Sequence, residues 1–594
     1  MKKTFALLMV MLLAFSAFAQ GAQEAAPAAK AGSAPKTSSI SVCIASEPDT
    51  IDPALNSAVD GATLVAHLFS GLAKWSQDAN GNLVIVNDAA EKLVDGVVNA
   101  DGTVTYTYTL RDMKWSDGKK VTANDFEFAW KRAAGDELGA DYGYMFEVVD
   151  GYPNNLNVKA LDEKTLQVTT ANYIAYWNEL LAFPTYYPVR EDVVANEGWA
   201  TEPSTYVCNG MYTLADWAHD SVLTLKKNAN HPDAAQVTMD EIKFYLSDDA
   251  NNMLSNFENG AWLLIDDVPT EEIPALKVKY PTEFVVAGQI GTYYVCWNVN
   301  EEILPANSGL TGEAAEAAKA EIRNAVGLLY DRNYICEEIG QAGQVPAGSF
   351  VAMGMTNADG TQFYQTAGGT DKAYYGYFDA SADAVESYFA AAVDTLKKYY
   401  NWDGTKFTNF PTLTYLYNTS SGHKAIGEYL QSAVAAVGIN MTLENQEWNT
   451  FLNTRKQGDY SIARNGWLAD YNDPICFLDM WVTASGNNDV QFGKGAHKDL
   501  KMYSMDLTKY GYDVKVTNGT WAETYDVLIS IIKSCTKAEV RSALMHEAED
   551  ILMSTGCIVP LYYYTDIYML DDSVKGFFSN PLGYKYFMYS TING

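Results

Sequence analysis

Short stretches in which hydrophobic and polar residues alternate recur along the chain and predict β-strands. The clearest reads TVTYTYTL at 103–110, and it has the period of two that a strand with one buried face shows. Similar segments lie at 40–53, 164–169, 221–226, 241–246, 411–417 and 439–443. A longer apolar run, CIVPLYYY at 557–564, predicts a strand that is buried on both faces.

Segments with helical spacing separate these strands. Residues 60–73 predict a helix capped at Asp60, and a second helix opens at Thr122, where Asp125 completes a capping box. Further helices are predicted at 313–330, 423–437 and 538–554. Because strands and helices interleave along the whole chain, the pattern predicts the α/β fold class.

The N-terminus predicts export from the cytoplasm. Residues 1–19 combine two lysines, a short apolar stretch and the sequence Ala17-Phe18-Ala19, which together predict a signal peptide cleaved after Ala19. Residues 20–39 are rich in Ala, Pro, Gly and Ser and predict a flexible leader. The expected location is periplasmic or secreted, without a lipid anchor, since no Cys lies near the cleavage site.

Composition narrows the classes of partner. The 594 residues include 74 Asp and Glu against 41 Lys and Arg, so the net charge is −33 and nucleic acid is excluded as an expected partner. A hydrophobic share of 48% is enough for a large core. The 40 tyrosines indicate either a Tyr-rich core or a large polar-aromatic binding cleft.

Motifs for catalysis and metal binding are missing from the sequence. No two of the six His are three or four residues apart, and there is no zinc spacing, GxSxG elbow, P-loop or dinucleotide fingerprint. We therefore expect a binding protein without metal or cofactor. Seven scattered Cys without a CxxC pair leave the number of disulfides open.

Eight blocks of sequence, in order along the chain, resemble a known family. The stretch KWSDGKKVTANDFEFAWKR at 114–132 resembles the signature of the peptide/nickel class of solute-binding proteins, family 5, which serve ABC importers. Other matching blocks include NGMYTLADW at 209–217, GTYYVCWNVN at 291–300, YNTSSGHK at 417–424 and IVPLYYY at 558–564. The blocks between 417 and 474 are most similar to the oligopeptide-binding members of Gram-negative bacteria.

This resemblance implies a two-lobed periplasmic-binding-protein clamshell, class II-like, with an additional third domain. Ligand binding would close the hinge between the lobes and bury the ligand. The implied boundaries are 40–69, 205–290 and 566–594 for lobe I, 70–204 for the extra domain II, and 291–565 for lobe III.

The resemblance also implies a set of ligand-binding residues. Asp470, in the sequence GWLAD, matches the family residue that receives the ligand's ammonium group. Trp467 and Trp448 match aromatic residues of the pocket, and Gly466 and Ala469 are expected to offer backbone groups.

Tyrosines and basic residues complete this set. Tyr142 and Tyr564 match tyrosines of the cleft. Arg455, Arg464 and His423 match residues that meet the ligand's carboxylate or structure the pocket, and the planar fork of Arg suits a carboxylate.

Ser57 and Val59 are expected beside the ligand chain, but Ser57 stands where close relatives carry a Glu. Gly340 replaces a Lys that faces the carboxylate, and Gly291 and Leu468 replace a disulfide. These departures leave the preferred peptide length open.

The expected function is an extracytoplasmic receptor that captures oligopeptides and delivers them to the membrane permease subunits of an ABC importer, as a monomer and without catalysis. A receptor for oligosaccharides or another small solute remains an alternative, because aromatic side chains also stack on sugars. A secreted hydrolase and an adhesin or chaperone-like role are further alternatives.

Overall fold

A computed structural model describes residues 38–365 and 382–593 of the chain. The predicted signal peptide and residues 20–37 of the leader lie outside this range. Among the described residues, no helix combines the length and the apolar character that crossing a bilayer requires.

Strands and helices alternate as predicted. The strands are β1 Ser39–Ala45, β2 Ala73–Gln77, β3 Leu83–Asn87, β4 Val97–Val98, β5 Val104–Thr109, β6 Val158–Ala160, β7 Thr165–Thr170, β8 Tyr212–Ala218, β9 Val222–Lys227, β10 Glu241–Leu246, β11 Leu264–Ile265, β12 Phe284–Trp297, β13 Val345–Pro346, β14 Leu413–Asn418, β15 Met441–Gln446, β16 Ile462–Leu468, β17 Tyr503–Asp506, β18 Lys515–Gly519, β19 Ile558–Leu570, β20 Val574–Lys575, β21 Phe578–Ser579, β22 Lys585–Tyr586 and β23 Thr591–Ile592.

The α-helices vary from single turns to five turns. They are α1 Val59–Leu68, α2 Ala123–Ala134, α3 Trp177–Leu180, α4 Glu191–Val194, α5 Ala250–Glu258, α6 Ile273–Lys279, α7 Gly312–Gly327, α8 Arg332–Tyr334, α9 Ala382–Leu396, α10 Ser421–Ala435, α11 Trp448–Gln457, α12 Val527–Ser534 and α13 Ala538–Ser554.

One large mixed sheet organises the described residues. Its strand order is β15-β14-β16-β12-β19-β11-β1-β10-β9-β8, and β13 pairs with β19 beside this path. The two longest strands, β12 and β19, are antiparallel, and their pairing is interrupted between Gly288 and Thr292. The predicted lobe boundaries at 290/291 and 565/566 fall close to this interruption.

Three neighbouring parallel strands, β10, β1 and β11, end at the same edge of the sheet. Ligand sites in α/β folds form where the carboxyl ends of parallel strands open into a crevice. The loops that follow these strands, and the first turn of α1, therefore occupy the part of the fold that can form a binding site.

A smaller sheet, β4-β5-β7-β6, packs against α2. The carboxylate of Asp125 accepts hydrogen bonds from the Thr122 backbone N–H at 2.7 Å and the Thr122 hydroxyl at 3.1 Å, so the predicted capping box is present. Helix α2 turns an apolar face to the core, where the indole of Trp130 donates to the Tyr186 carbonyl at 2.8 Å.

The predicted start of the first helix is wrong by one residue. Helix α1 begins at Val59, because Ala58 has extended backbone angles, and Asp60 lies within the first turn instead of capping it. The helix also ends at Leu68, five residues before the predicted end, because Phe69 is again extended.

All seven cysteines are free and buried. The question of disulfides, which the sequence left open, is therefore answered: the seven cysteines form none. Gly291 and Leu468, the predicted replacements of a family disulfide, lie directly opposite each other in β12 and β16. A Cβ atom on Gly291 would lie 2.3 Å from Leu468 Cδ2 and 2.8 Å from the Trp467 carbonyl oxygen, so the strand pair fits together only around a glycine.

We expect Gly291→Val to lower the free energy of unfolding by about 1–3 kcal/mol, because the new side chain overpacks the contact between β12 and β16. Gly288→Val, in the same strand but with nothing within 4 Å of the added Cβ, serves as the matched control and should change it by no more than about 0.5 kcal/mol. Urea unfolding measures both, and equal effects of the two variants would contradict the close approach.

Candidate ligand-binding site

A cavity of about 500 Å³ lies beside the carboxyl edge of the parallel strands. All twelve residues that the sequence singled out line it: Ser57, Val59, Tyr142, His423, Trp448, Arg455, Arg464, Gly466, Trp467, Ala469, Asp470 and Tyr564. The volume is within the range of cavities that enclose small ligands. The structure thus brings the candidates together, and their role in binding stays a prediction.

Asp470 follows the end of β16 and is 8% exposed. Its Oδ1 accepts a hydrogen bond from the Tyr142 hydroxyl at 2.9 Å, whereas its Oδ2 is buried without any hydrogen-bond partner. Burial raises the pKa of this carboxyl well above its usual range, although the Tyr142 hydrogen bond acts in the opposite direction. A positive group placed at Oδ2 would restore the charge and the missing hydrogen bond.

The two arginines, which the sequence treated alike, have different surroundings. Arg455 is buried, and its Nε lies 2.7 Å from the carboxylate of Asp489. Arg464 makes no ion pair with a carboxylate of the described residues, and its Nε is buried without a hydrogen-bond partner. Arg455 therefore structures the wall of the cavity, and Arg464 remains available to an anion.

Aromatic rings hold Arg464 in place. Its guanidinium carbon lies 5.5 Å from the ring centre of Tyr293 and 5.8 Å from that of Trp448, distances at which cation–π attraction is effective. The imidazole Nδ1 of His423 is 3.2 Å from the Tyr293 hydroxyl. Burial, with Arg464 nearby, lowers the pKa of His423 well below its usual value, so this ring is a neutral hydrogen-bonding group and adds no positive charge.

Trp467 and Gly466 form a rigid part of the wall. The Trp467 indole donates to the Cys476 carbonyl at 2.8 Å, and its ring centre is 6.1 Å from that of Tyr142. A Cβ on Gly466 would lie 2.3 Å from the Tyr564 hydroxyl oxygen, so the glycine permits this tyrosine to approach the strand.

We expected Gly466 and Ala469 to offer backbone groups to a ligand, but the N–H groups of both residues already donate within the protein. The N–H of Ala469 donates to the Ile290 carbonyl at 2.8 Å, and the N–H of Gly466 donates to Asn465 Oδ1 at 2.8 Å. Both donors are engaged within the protein, since the Ala469 N–H extends the pairing of β16 with β12 and the Gly466 N–H bonds the preceding side chain.

A polar contact at the edge of the cavity was missed by the sequence analysis. Ser57 donates to Asp141 Oδ2 at 2.9 Å, and the ammonium of Lys456 donates to the Ser57 hydroxyl at 2.8 Å and to Asp141 Oδ2 at 2.5 Å. The three residues are far apart in sequence. The only signal was Ser57 itself, at a position where the resemblance implies a Glu.

Four aspartates were also missed: Asp60, Asp248, Asp266 and Asp267. All four line the cavity, and we call them the acidic wall. Asp248 follows β10, Asp266 and Asp267 follow β11, and Asp60 lies in the first turn of α1. The sequence could not distinguish them among 74 acidic residues, because the order of strands in the sheet brings them together.

Away from this cavity, the side chains of Asp88, His231 and Asp233 lie close enough to hold a metal ion. However, Asp88 is 3.2 Å from the ammonium of Lys74, and Asp233 accepts two hydrogen bonds from Arg111 at 2.7 and 2.9 Å. Hydrogen bonding to Arg111 lowers the pKa of Asp233 to about 2. Two cations therefore already balance the two carboxylates, and the cluster is a network of ion pairs.

A family model for bacterial extracellular solute-binding proteins, family 5, matches residues 84–489. The chain belongs to this family. The match confirms the resemblance that the sequence motifs indicated, and with the mixed sheet it confirms the predicted fold class.

Relatives and solved structures agree with this membership. The oligopeptide-binding protein OppA of Bacillus subtilis is 28% identical over 610 residues, which cover 99% of both chains. OppA of Haemophilus influenzae, solved in complex with the peptide RPPGFSPFR, has a TM-score of 0.75 and 25% identity, and the match covers 94% of this chain and 99% of that one.

The murein tripeptide-binding protein MppA of Escherichia coli and an unliganded open form of MppA share the fold at 23% identity, and each match covers 94% of this chain. One gives a TM-score of 0.75 and covers 99% of its own chain, and the unliganded open form gives 0.55 and covers 98%. The structure of this chain is therefore less similar to the open form than to the other MppA structure.

We expect Arg455→Gln to lower the free energy of unfolding by about 3–5 kcal/mol, because it leaves Asp489 buried without its cation. Arg464→Gln, which breaks no ion pair of the described residues, should cost about 1 kcal/mol from the lost ring contacts. Chemical denaturation of both variants measures this difference. If Arg464→Gln were the more destabilising change, the division of roles between the two arginines would be wrong.

Proposed function

We propose that the protein is an extracytoplasmic receptor that captures oligopeptides and delivers them to the permease subunits of an ABC importer. The observation that carries this proposal is that one cavity holds two opposite charges without ion-pair partners among the described residues. They are the carboxylate of Asp470, whose Oδ2 has no hydrogen-bond partner, and the guanidinium of Arg464. A zwitterion with separated ends supplies a partner for each.

The chemistry of peptides fits these two anchors. The α-ammonium group would donate to Asp470 Oδ2, and the terminal carboxylate would accept from Arg464. Hydrogen bonds to charged groups contribute about 1.5–3 kcal/mol each, so the ends can provide affinity that does not depend on the side chains. Hydrated space around the rest of the ligand then tolerates varied residues.

The comparisons support the same class of ligand. The Bacillus subtilis relative is named as an oligopeptide-binding protein, and the Haemophilus influenzae relative was solved with a peptide. We assign the protein binding without a catalytic step, so the energy for transport would come from the importer. The proposed location is periplasmic or secreted after cleavage at Ala19, and the proposed form is a monomer.

Closure of the cavity would use the two long central strands. We propose that β12 and β19 connect the lobes near 290/291 and 565/566, where the pairing of these strands is interrupted. The contact between Ser57, Asp141 and Lys456 joins residues from all three proposed domains and would stabilise the closed state. Such closure is a shift between two populated conformations, biased by the ligand.

A direct test compares a free tripeptide with its N-acetylated form by titration calorimetry. Acetylation removes the positive charge that Asp470 would bind, so we expect the affinity to fall at least about tenfold. Asp470→Asn should weaken binding of the free peptide by a similar factor and should reduce the difference between the two peptides.

Tyr142→Phe serves as the matched control, because it removes one hydrogen bond to Asp470 and keeps the carboxylate. This variant should still prefer the free peptide. Equal affinity of the wild-type protein for free and acetylated peptides would contradict the role of Asp470, and tighter binding of an oligosaccharide than of any peptide would favour the alternative receptor.

A further inference from the structure

The charges around the cavity are unbalanced. Among the described residues, seven carboxylates line the cavity, compared with four Lys and Arg side chains. A peptide with neutral side chains adds one positive and one negative end, so it would leave this excess of negative charge unchanged. The imbalance therefore requires a further explanation beyond the binding of the two termini.

Three of the four cations already form ion pairs with carboxylates of the protein. Arg455 pairs with Asp489 at 2.7 Å, and Lys456 pairs with Asp141 at 2.5 Å. Lys585 lies 2.8 Å from Asp266 and 3.3 Å from Asp566. The fourth cation is Arg464, which the proposed function assigns to the ligand's carboxylate.

The other carboxylates of the acidic wall have no such partner. No Lys or Arg of the described residues lies within 4.0 Å of Asp60, Asp248 or Asp267. The Oδ2 atom of Asp60 is buried without a hydrogen-bond partner, and Asp267 Oδ1 accepts from the adjacent Val268 N–H at 2.8 Å. Burial raises the pKa of Asp60 and of Asp267 to about 6, although hydrogen bonds to each carboxyl act in the opposite direction.

An independent observation on another segment of the cavity lining points to the same kind of ligand. Asn418, at the end of β14, is 8% exposed and lines the cavity, and its Oδ1 has no hydrogen-bond partner. The hydroxyls of Thr270 and Ser421, 3.4 Å apart, bring the segment after Asp267 next to the segment after Asn418. The carboxylate of Asp267, which has no cation nearby among the described residues, and the unpartnered oxygen of Asn418 thus lie on neighbouring segments of the cavity lining.

A metal ion does not fit this arrangement. In the part of the chain that the structure describes, only Asp88, His231 and Asp233 bring three ligand atoms within 4.8 Å of one another. The oxygens of the acidic wall are therefore too dispersed to coordinate one ion. An extended organic cation with several N–H donors, such as a Lys or Arg side chain, can reach dispersed acceptors.

We propose that the protein selects peptides that carry a Lys or Arg side chain, and that the acidic wall and Asn418 bind this side chain. The inference rests on the proposed peptide-binding function and adds a ligand class to it. It assigns Asp60 and Asp267 as specificity-determining residues, since both line the cavity and neither has a Lys or Arg of the described residues within 4.0 Å.

The test uses alanine peptides of three to five residues in which each position in turn carries Lys, norleucine or Glu. Norleucine has nearly the shape of Lys without its ammonium group. In at least one position, we expect the Lys peptide to bind about tenfold tighter than the norleucine peptide, and the Glu peptide to bind more weakly than both. Calorimetry with the full mature chain measures the three affinities.

Asp60→Asn and Asp267→Asn, singly and together, keep the shape of the side chains and should bring the Lys-to-norleucine affinity ratio towards one. The double variant Glu271→Gln/Glu272→Gln is the matched control, because it also removes two charges, at exposed positions outside the cavity lining. It should preserve the ratio.

Equal affinity for Lys and norleucine peptides at every position would overturn the selection of cationic side chains while leaving peptide binding intact. Failure of every peptide to bind would instead refute the proposed function. A Lys preference that persists in both single variants and in the double variant would overturn the assignment to the acidic wall. If a variant does not fold, the wild-type peptide series and the other single variant still decide.

Discussion

Charge that is buried without a partner is the constraint on which the account of this protein depends. Removing a carboxylate or a guanidinium from water costs several kcal/mol unless an opposite charge or hydrogen bonds replace the solvent. Asp470, Asp60 and Arg464 all present buried polar atoms without partners to the same cavity. Away from the cavity, Arg323 and Glu316 are buried together as an ion pair at 3.0 Å. The unpartnered atoms of Asp470, Asp60 and Arg464 thus lie where a ligand can compensate them.

The large sheet explains how these groups meet. The strands β10 and β11 place Asp248, Asp266 and Asp267 at one edge of the sheet, and α1 contributes Asp60. Strand β16 carries Arg464, and Asp470 follows it, in the other part of the sheet. The central strands β12 and β19 belong to both parts. A change in the angle at their interrupted pairing would move the two sets of charges relative to each other, so binding and closure would be coupled through the backbone.

The sequence predicted most elements because alternation and capping act locally. Thr122 and Asp125 form their capping box as expected, and α13 has the predicted bounds. The start of α1 was missed because the extended backbone of Ala58 leaves no mark in the residue pattern. Family motifs singled out Asp470 and Arg464. They could not show that Arg455 forms an ion pair with Asp489 or that His423 is neutral, because both properties depend on packing between distant segments. The acidic wall depends on strand order, which no local pattern encodes.

Native mass spectrometry of protein that is purified from its host without refolding tests the central claim most directly. We expect added masses that correspond to peptides of a few residues, enriched in Lys and Arg, and their loss in Asp470→Asn. An added mass that corresponds to an oligosaccharide or another uncharged solute would contradict it.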